Sequence, residues 1–133
     1  MNLRWRTISL ALAVSFLGQM ALIPDLSAFT KKSFTDYEGT TKGDEKANYT
    51  EVYKANGTSV DTKTTYYYHI TGNERAAAAD ANADSYMTES DTARGDATTK
   101  QISYYTGTTA GEENIRWSQE YNYNGSPVKT LTV

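Results

Sequence analysis

The longest regular pattern in the chain is an alternation of residue types over positions 59–71. One set of alternate positions contains Val60, Thr62, Thr64, Tyr66, Tyr68 and Ile70. The positions between them are more polar and include Lys63 and His69. A period of two is typical of a strand with one packed face, whereas a helical repeat of 3.6 residues would mix the two sets. The pattern predicts a strand with Tyr66 buried and Tyr67 exposed.

Two Asn-Gly dipeptides interrupt further alternating segments, at Asn56-Gly57 and Asn124-Gly125. Asn-Gly between two alternating runs favours a hairpin, because both residues tolerate the positive φ of a two-residue type I′ turn. The first turn predicts a register with Tyr49 opposite Thr64. In the segment before the second turn, alternation places Trp117 on the packed face.

These segments together predict an all-β fold. Residues 99–106 add another alternating strand, while residues 72–97 break the rhythm and begin with an alanine-rich stretch of high helix propensity. We interpret residues 72–97 as one irregular insertion that carries a short helix. The predicted architecture is a small antiparallel β-sandwich or partly open barrel of about six strands, formed by a single domain over residues 29–133.

The amino-terminal segment has the organisation of a signal peptide. Arg4 and Arg6 precede a mostly apolar run over residues 8–23, and small residues follow at Ser27 and Ala28. This arrangement predicts a signal peptide over residues 1–28. The alternative is a retained membrane anchor, although the apolar run is shorter than the roughly 20 residues of a spanning helix. We therefore expect a secreted, periplasmic or extracellular protein without membrane association after cleavage.

Composition narrows the function classes further. The 133 residues include eleven tyrosines and no cysteine, and their formal net charge is −3. The absence of cysteine excludes disulfides, thiolate metal sites and a cysteine nucleophile. Without a basic patch, nucleic acid is not an expected partner. The domain must be stabilised by its core, by a bound metal or by assembly.

Catalytic chemistry finds little support in the residue pattern. His69 is the single histidine, and the sixteen acidic residues show no pairing at the sequence level. We therefore expect a protein that is not an enzyme, with a glycosidase-like hydrolase using two carboxylates as the least favoured function. On the polar face of the strands, Tyr67, His69 and Tyr105 are the candidate binding surface for sugar rings or another protein chain.

One spacing carries metal chemistry. Residues 80–91 place oxygen ligands at positions 1, 3, 5, 7, 9 and 12 of a loop that resembles an EF-hand calcium loop. Those positions are Asp80, Asn82, Asp84, Tyr86, Thr88 and Asp91. The loop departs from the pattern because Ser85 replaces the turn glycine and an aspartate replaces the final glutamate. The alternative is an Asx-rich turn whose acidic residues only cap and solvate. The cofactor expectation is therefore either none or calcium.

The favoured function is an exported non-enzymatic β protein that binds or assembles at the cell surface or in extracellular matrix. Its partners would be further copies of itself, or a surface polysaccharide or protein. The alternative is a barrel that binds a small ligand with Tyr66, Tyr68 and Trp117 pointing inward.

Overall fold

A computed structural model describes residues 30–132, with side chains described as far as Val128. The predicted signal peptide, residues 1–28, lies outside the described residues. From Lys31 onward the chain forms one compact unit. No helix within residues 30–132 is long and apolar enough to cross a membrane.

The described chain is all-β, with one antiparallel sheet that is not closed into a barrel. Its strands are β1 (Ser33–Glu38), β2 (Lys46–Tyr53), β3 (Val60–Ile70), β4 (Asn73–Ala76), β5 (Met87–Arg94), β6 (Thr99–Thr106), β7 (Asn114–Tyr121) and β8 (Pro127–Thr132). The order across the sheet is β1-β2-β3-β5-β6-β7-β8, and β4 folds back onto β3. The predicted all-β antiparallel class is confirmed, in an open form with eight strands.

The interpretation of residues 72–97 as an irregular insertion is wrong. This segment contains β4, a single 3₁₀ turn at Ala78–Asp80 and β5, and β5 is a central strand between β3 and β6. Sequence alternation missed β5 because its residues are small or charged on both faces, with Glu89 and Asp91 on one side and Ser90 and Thr92 on the other. Cross-strand pairing, rather than hydrophobic alternation, defines this strand.

Cross-strand partners share a face of the sheet. On one of the two faces, most of these partners carry hydroxyl groups. We call it the hydroxyl face; across neighbouring strands it carries Thr35, Thr50, Thr64, Tyr66, Ser90, Thr92, Ser103, Tyr105 and Ser118. Ser90, Ser103 and Ser118 are buried. Hydroxyl oxygens of Thr64 and Thr92 lie 2.9 Å apart, and the same distance separates those of Thr35 and Thr50. This face therefore packs through short polar side chains.

The opposite face, which we call the aromatic face, carries Tyr49, Lys63, Tyr67, Tyr104 and Trp117. The rings of Tyr104 and Trp117 stack with centroids 4.3 Å apart, and the Lys63 ammonium lies 3.7 Å from the Tyr49 ring centroid. Trp117 thus shares a face with Tyr67. The prediction that Trp117 and Tyr66 lie on one packed face, opposite Tyr67, is wrong.

Burial by face also differs from the prediction, and the described strands all belong to a single sheet. Tyr66, Tyr67 and Trp117 are all half-buried. Among the described strands no second sheet covers Tyr66 and Trp117, while the Arg75 side chain of β4 covers Tyr67. The expected contrast between buried Tyr66 and exposed Tyr67 is therefore absent.

Tyr68 is the large side chain of the small core. It is 4% exposed, near the buried residues Ala76 and Ala78. Its hydroxyl donates a hydrogen bond of 2.8 Å to the Ala47 carbonyl oxygen. Burial, reinforced by the charges of neighbouring groups including Glu113, raises the pKa of Tyr68 to about 12. The phenol is therefore held in its neutral, donating form.

The first Asn-Gly hairpin exists, but its loop has four residues rather than two. Lys54 N–H donates to the Ser59 carbonyl oxygen at 2.8 Å, and Gly57 alone takes a positive φ, 69°. An irregularity beside Tyr53 then shifts the pairing, so that Tyr49 lies opposite Thr65. The predicted partner Thr64 is wrong by one residue, and a shift of one residue transfers Tyr49 to the aromatic face.

The second hairpin also uses a longer turn than predicted. Asn122 N–H donates to the Ser126 carbonyl oxygen at 2.9 Å, which leaves a three-residue loop with Gly125 at φ 79°. Tyr121 consequently pairs with Pro127. A type I turn followed by a residue with positive φ is a common three-residue hairpin connection.

The sheet contains an internal repeat that the sequence reading missed. The segment GTTKGDE beginning at Gly39 recurs as GTTAGEE beginning at Gly107, 68 positions later, and the same offset relates Asn56-Gly57 to Asn124-Gly125. It also relates the bounds of β2 to those of β7. The unit β1-β2-β3 is therefore repeated as β6-β7-β8, with the second half of β3 outside the match.

Strand register follows the same repeat. The pair Asp36–Tyr49 corresponds to Tyr104–Trp117, and Thr35–Thr50 corresponds to Ser103–Ser118. The turns correspond as well. Gly43 N–H donates a hydrogen bond to Glu45 Oε2 at 2.6 Å, and Gly111 N–H donates one to Glu113 Oε2 at 2.9 Å. Sequence and pairing agree, so the repeat is a structural unit.

Candidate functional site

Tyr67, the first residue of the predicted binding surface, is covered by Arg75 of β4. The guanidinium carbon lies 3.7 Å from the centroid of the Tyr67 ring. Its Nε donates to Glu89 Oε1 at 2.8 Å, and its Nη2 donates to Asp91 Oδ2. The hydrogen bond with Glu89 raises the pKa of Arg75 above its ordinary value. The ring is therefore one layer of a cation–aromatic stack rather than an open platform.

His69 is likewise engaged within the fold. Its ring stacks on Tyr86 with centroids 4.6 Å apart and planes within 7°. Its backbone N–H donates to the Tyr86 carbonyl oxygen at 2.9 Å. Its Nδ1 lies 3.0 Å from Glu74 Oε1, outside good hydrogen-bond geometry. These contacts position the imidazole as a packing group at the end of β3.

Tyr105 lies on the opposite face from Tyr67 and His69. Its hydroxyl is 3.2 Å from Ser90 Oγ on the hydroxyl face. The three residues of the predicted surface are thus divided between two sides of the sheet. Tyr67 and His69 occupy alternate positions of β3 but contact different partners, Arg75 and Tyr86, and Tyr105 is separated from both.

The carboxylates of Glu89 and Asp91 are neighbours on the aromatic face. Burial and the adjacent Glu89 raise the pKa of Asp91, and Arg75 opposes this effect. Both groups belong to one strand and share one arginine. A glycosidase needs two carboxyl groups that face each other across the scissile bond. These two instead act together as the acceptors of a structural ion pair.

The six candidate calcium ligands are dispersed by the fold. Asp80 ends the 3₁₀ turn, and Asn82 Oδ1 accepts a hydrogen bond of 3.0 Å from Asp84 N–H. Thr88 and Asp91 lie in extended β5, which separates their Cα atoms by roughly 10 Å.

Calcium binding by residues 80–91 stays a prediction, because several of its candidate ligands are already engaged within the fold. The Thr88 hydroxyl donates to the Glu74 carbonyl oxygen, and Asp91 is bonded to Arg75. Within residues 30–132, no group of three acidic or histidine side chains is arranged to hold a metal ion. Binding in this loop would require Asp91 to leave Arg75.

The residues of the alternative barrel do not line one interior. Tyr66 and Tyr68 are on the side of the hydroxyl face, whereas Trp117 stacks on Tyr104 on the aromatic face. The sheet between them is open. A ligand cavity formed by these three aromatic side chains is therefore absent from the described fold.

A cleft of about 610 Å³ lies at the end of the sheet where three hairpin loops meet. It is lined by Lys54, Ser59, Val60, Asp61, Thr62, Arg94, Gly95, Asp96, Lys100 and Tyr123. A Cβ at Gly95 would lie 2.3 Å from the Val60 carbonyl oxygen, so only glycine allows this loop to approach β3 so closely. Gly95 N–H donates to the Asp61 carbonyl oxygen at 2.8 Å. The cleft is thus built by tight backbone packing.

Arg94 connects the walls of this cleft. Its Nη2 donates to the Tyr121 carbonyl oxygen at 2.5 Å, and its guanidinium lies 4.2 Å from the centroid of the Tyr123 ring. Asp96 accepts hydrogen bonds from both the hydroxyl and the N–H of Thr98, and these lower its pKa. Arg94 fixes Tyr123, while Asp96 is occupied by its own turn.

Comparison with known proteins adds no relative. The chain matches no protein family model, no curated protein sequence and no solved structure. Its function must therefore be argued from its own geometry.

The cleft residues were not predicted from the sequence, although a signal for them exists. Each of the three loops contains an Asn or Asp followed by Gly or Ala and then Ser or Thr, at residues 56–58, 96–98 and 124–126. In each case the Asx side chain accepts a hydrogen bond from the N–H two residues later. Three equal turns on alternate connections of one meander must lie at the same end of the sheet.

Proposed function

We propose that this protein is an exported, non-enzymatic β module that assembles by adding a strand to the free edge of β1. The candidate catalytic groups support a non-enzymatic role, since His69 packs on Tyr86 and the two neighbouring carboxylates bind Arg75. The open sheet supports assembly, because an edge with unpaired backbone groups is a template for another strand.

The observation that carries the proposal is the repeat relation between β1 and β6. Thr35 of β1 corresponds to Ser103 of β6, and Ser103 pairs with Ser90 of β5 as well as with β7. Among the described strands, β1 pairs only with β2. The edge that β6 uses for a strand within the sheet is therefore available on β1.

The hydrogen-bonding phase of β1 identifies the available groups. Tyr53 N–H donates to the Lys32 carbonyl oxygen, so the pair Lys32–Tyr53 is hydrogen-bonded. In an antiparallel ladder such pairs alternate with non-bonded ones. Phe34 consequently directs its N–H toward β2, whereas Ser33 and Thr35 direct theirs outward.

Strand direction selects the symmetry of the assembly. β1 and β8 are separated by an even number of antiparallel steps along the sheet order, so they run in the same direction. Pairing β1 of one copy with β8 of another, with the hydroxyl faces on the same side, would give a parallel ladder. A two-fold axis beside β1 gives an antiparallel pair of β1 strands, which matches every other pairing in the sheet.

The test compares two substitutions at Thr35. Thr35→Pro removes the outward N–H without removing a bond to β2, and proline is tolerated on edge strands. Thr35→Val keeps that N–H and serves as the control, since both variants lose the hydroxyl contact with Thr50. Sedimentation equilibrium should show concentration-dependent dimers for the parent chain and Thr35→Val, but monomers for Thr35→Pro. Equal association of all three would contradict the proposal.

A further inference from the structure

The cleft between the hairpin loops has an excess of positive charge. Lys54, Arg94 and Lys100 line it, against the acidic side chains of Asp61 and Asp96. Of the described carboxylates, none lies within ion-pair distance of Lys54 or Lys100. Asp96 already accepts two hydrogen bonds from Thr98. Two free ammonium groups beside a fixed guanidinium favour an anionic ligand.

The rest of the lining is polar and suits a ligand with many hydroxyl groups. Ser59 and Thr62 supply hydroxyls, and the exposed Asp61 supplies a carboxylate acceptor. A volume of about 610 Å³ is within the ordinary range for ligand sites, roughly 300–1,000 Å³. Most small-molecule sites are lined by hydrophobic side chains with a few polar groups. This lining instead offers charge and hydrogen bonds.

Tyr123 gives the cleft an aromatic wall. Tyr123 is 74% exposed although Arg94 fixes the ring by a cation–π contact of 4.2 Å. An aromatic ring held in this way can pack against the apolar face of a sugar ring. Tyr123 also lines a second depression, of about 490 Å³, with Ile102 and Tyr121. One aromatic side chain thus stands between two adjoining hollows.

We propose that the cleft binds an acidic saccharide chain, whose units carry both carboxylate and hydroxyl groups. Lys54, Lys100 and Arg94 attract the carboxylates. Ser59, Thr62 and Asp61 bind hydroxyl groups, and Tyr123 packs on a sugar ring where the chain passes from one depression to the next. This site is at the loop end of the sheet and is independent of strand addition at β1.

The experiment is a calorimetric titration at low salt, in which a tetramer of galacturonic acid is added to the full protein. The neutral methyl ester of the same tetramer is the matched ligand. Exposed charge contacts are worth up to about 1 kcal/mol each, so Lys54→Gln or Lys100→Gln should weaken binding by about 3–5-fold. The double variant should lose roughly 10–25-fold if the two contacts add. Tyr123→Ala should weaken binding by about 5–10-fold.

The matched control is Lys42→Gln, which removes an exposed lysine from the loop between β1 and β2 at the other end of the sheet. Binding of the acidic tetramer should be unchanged in this variant and should weaken as salt rises. Unchanged thermal melts of the lining variants establish that they fold. Equal binding of the methyl ester, equal loss in Lys42→Gln, tighter binding of a single-stranded oligonucleotide, or no saturable binding of the tetramer would each overturn the proposal.

Discussion

Tyr49 and Trp117 occupy equivalent positions in two copies of one three-stranded unit, and both lie on the aromatic face. Tyr49 meets Phe34 at 6.2 Å between ring centroids, while Trp117 stacks on Tyr104. The neighbouring residues differ between the copies, yet the backbone pairing is the same. The repeat therefore preserves register and turn geometry more strictly than side-chain identity.

The repeated turn predicts a specific role for Glu113. Its carboxylate accepts hydrogen bonds from Met87 N–H at 2.8 Å and Gly111 N–H at 2.9 Å. Burial alone would raise its pKa, but these backbone donors outweigh burial and lower it. A lowered pKa in the folded state contributes stability above the unfolded pKa, and that contribution is lost as the pH falls through the folded pKa.

Glu113→Gln should therefore lower the free energy of unfolding by about 1 kcal/mol at pH 7, because an acceptor loses its charge. The difference from the parent should shrink as the pH falls below about 4. Urea denaturation at both pH values measures it, with Glu112→Gln as the control. A pH-independent difference would contradict the assigned role of the carboxylate.

We expect the raised pKa of the Tyr68 phenol to lower the free energy of unfolding at alkaline pH. Its pKa is raised to about 12 in the folded chain, against about 10 when unfolded. Between these values the folded state keeps a proton that the unfolded state has lost, so stability falls as the pH rises above 10. The integrated loss approaches roughly 2–3 kcal/mol.

Denaturant melts from pH 8 to 11.5 test this prediction on the parent, Tyr68→Phe and the exposed control Tyr37→Phe. Tyr68→Phe should show a shallower alkaline decline, because it has no phenol to ionise. Tyr37→Phe should follow the parent. Parallel declines in all three proteins would show that Tyr68 does not carry the effect.

Removing the charge of Arg75 should destabilise the fold at neutral pH and have a smaller effect at low pH. Arg75→Met leaves Glu89 and Asp91 adjacent and without their cation. At pH 7 both are ionised in the unfolded state, so we expect a loss of about 1–2 kcal/mol, limited by solvent screening of the half-exposed arginine. Burial raises the pKa of Asp91, so this carboxylate takes up a proton as the pH falls and the difference should decrease. Arg116→Met, on an exposed residue of β7, is the control for thermal melts at pH 7 and 3.5.

Much of the strand pattern could be predicted from the sequence, because alternation and Asn-Gly turns are local signals. The core of β3 and the two Asn-Gly hairpins were predicted at the right places. The loop lengths were not, because Asn56 uses its side chain to cap Thr58 and Ser59 instead of adopting positive φ. The irregularity between Val52 and Tyr53, and not the loop length, moves Tyr49 to the other face.

The candidate site could be predicted only in part, because its residues come together through pairings distant in sequence. Tyr67 and Tyr105 share a local pattern, but register across β5 places them on opposite faces. Lys54, Arg94 and Tyr123 lie in or directly beside three separate hairpin loops, and only the sheet order makes them neighbours. Single-strand periodicity cannot supply that order.

Calcium provides a further prediction for residues 80–91. Because Asp91 is bonded to Arg75 and Thr88 to the Glu74 carbonyl, we expect the same melting midpoint in calcium and in EDTA. In the Asp80→Ala variant, too, the melting midpoint in calcium should equal the midpoint in EDTA. A midpoint raised by more than about 5 °C in calcium, and abolished in Asp80→Ala, would show that the loop rearranges into a binding site.

Amide hydrogen exchange of β1 tests the central proposal most directly. The outward N–H groups of Ser33 and Thr35 should exchange rapidly in dilute protein and become protected as its concentration rises, because a second β1 strand then accepts their hydrogen bonds. Phe34 N–H, which faces β2, should be protected at every concentration. Site-resolved exchange rates that stay fast at Ser33 and Thr35 in concentrated protein would contradict assembly through this edge.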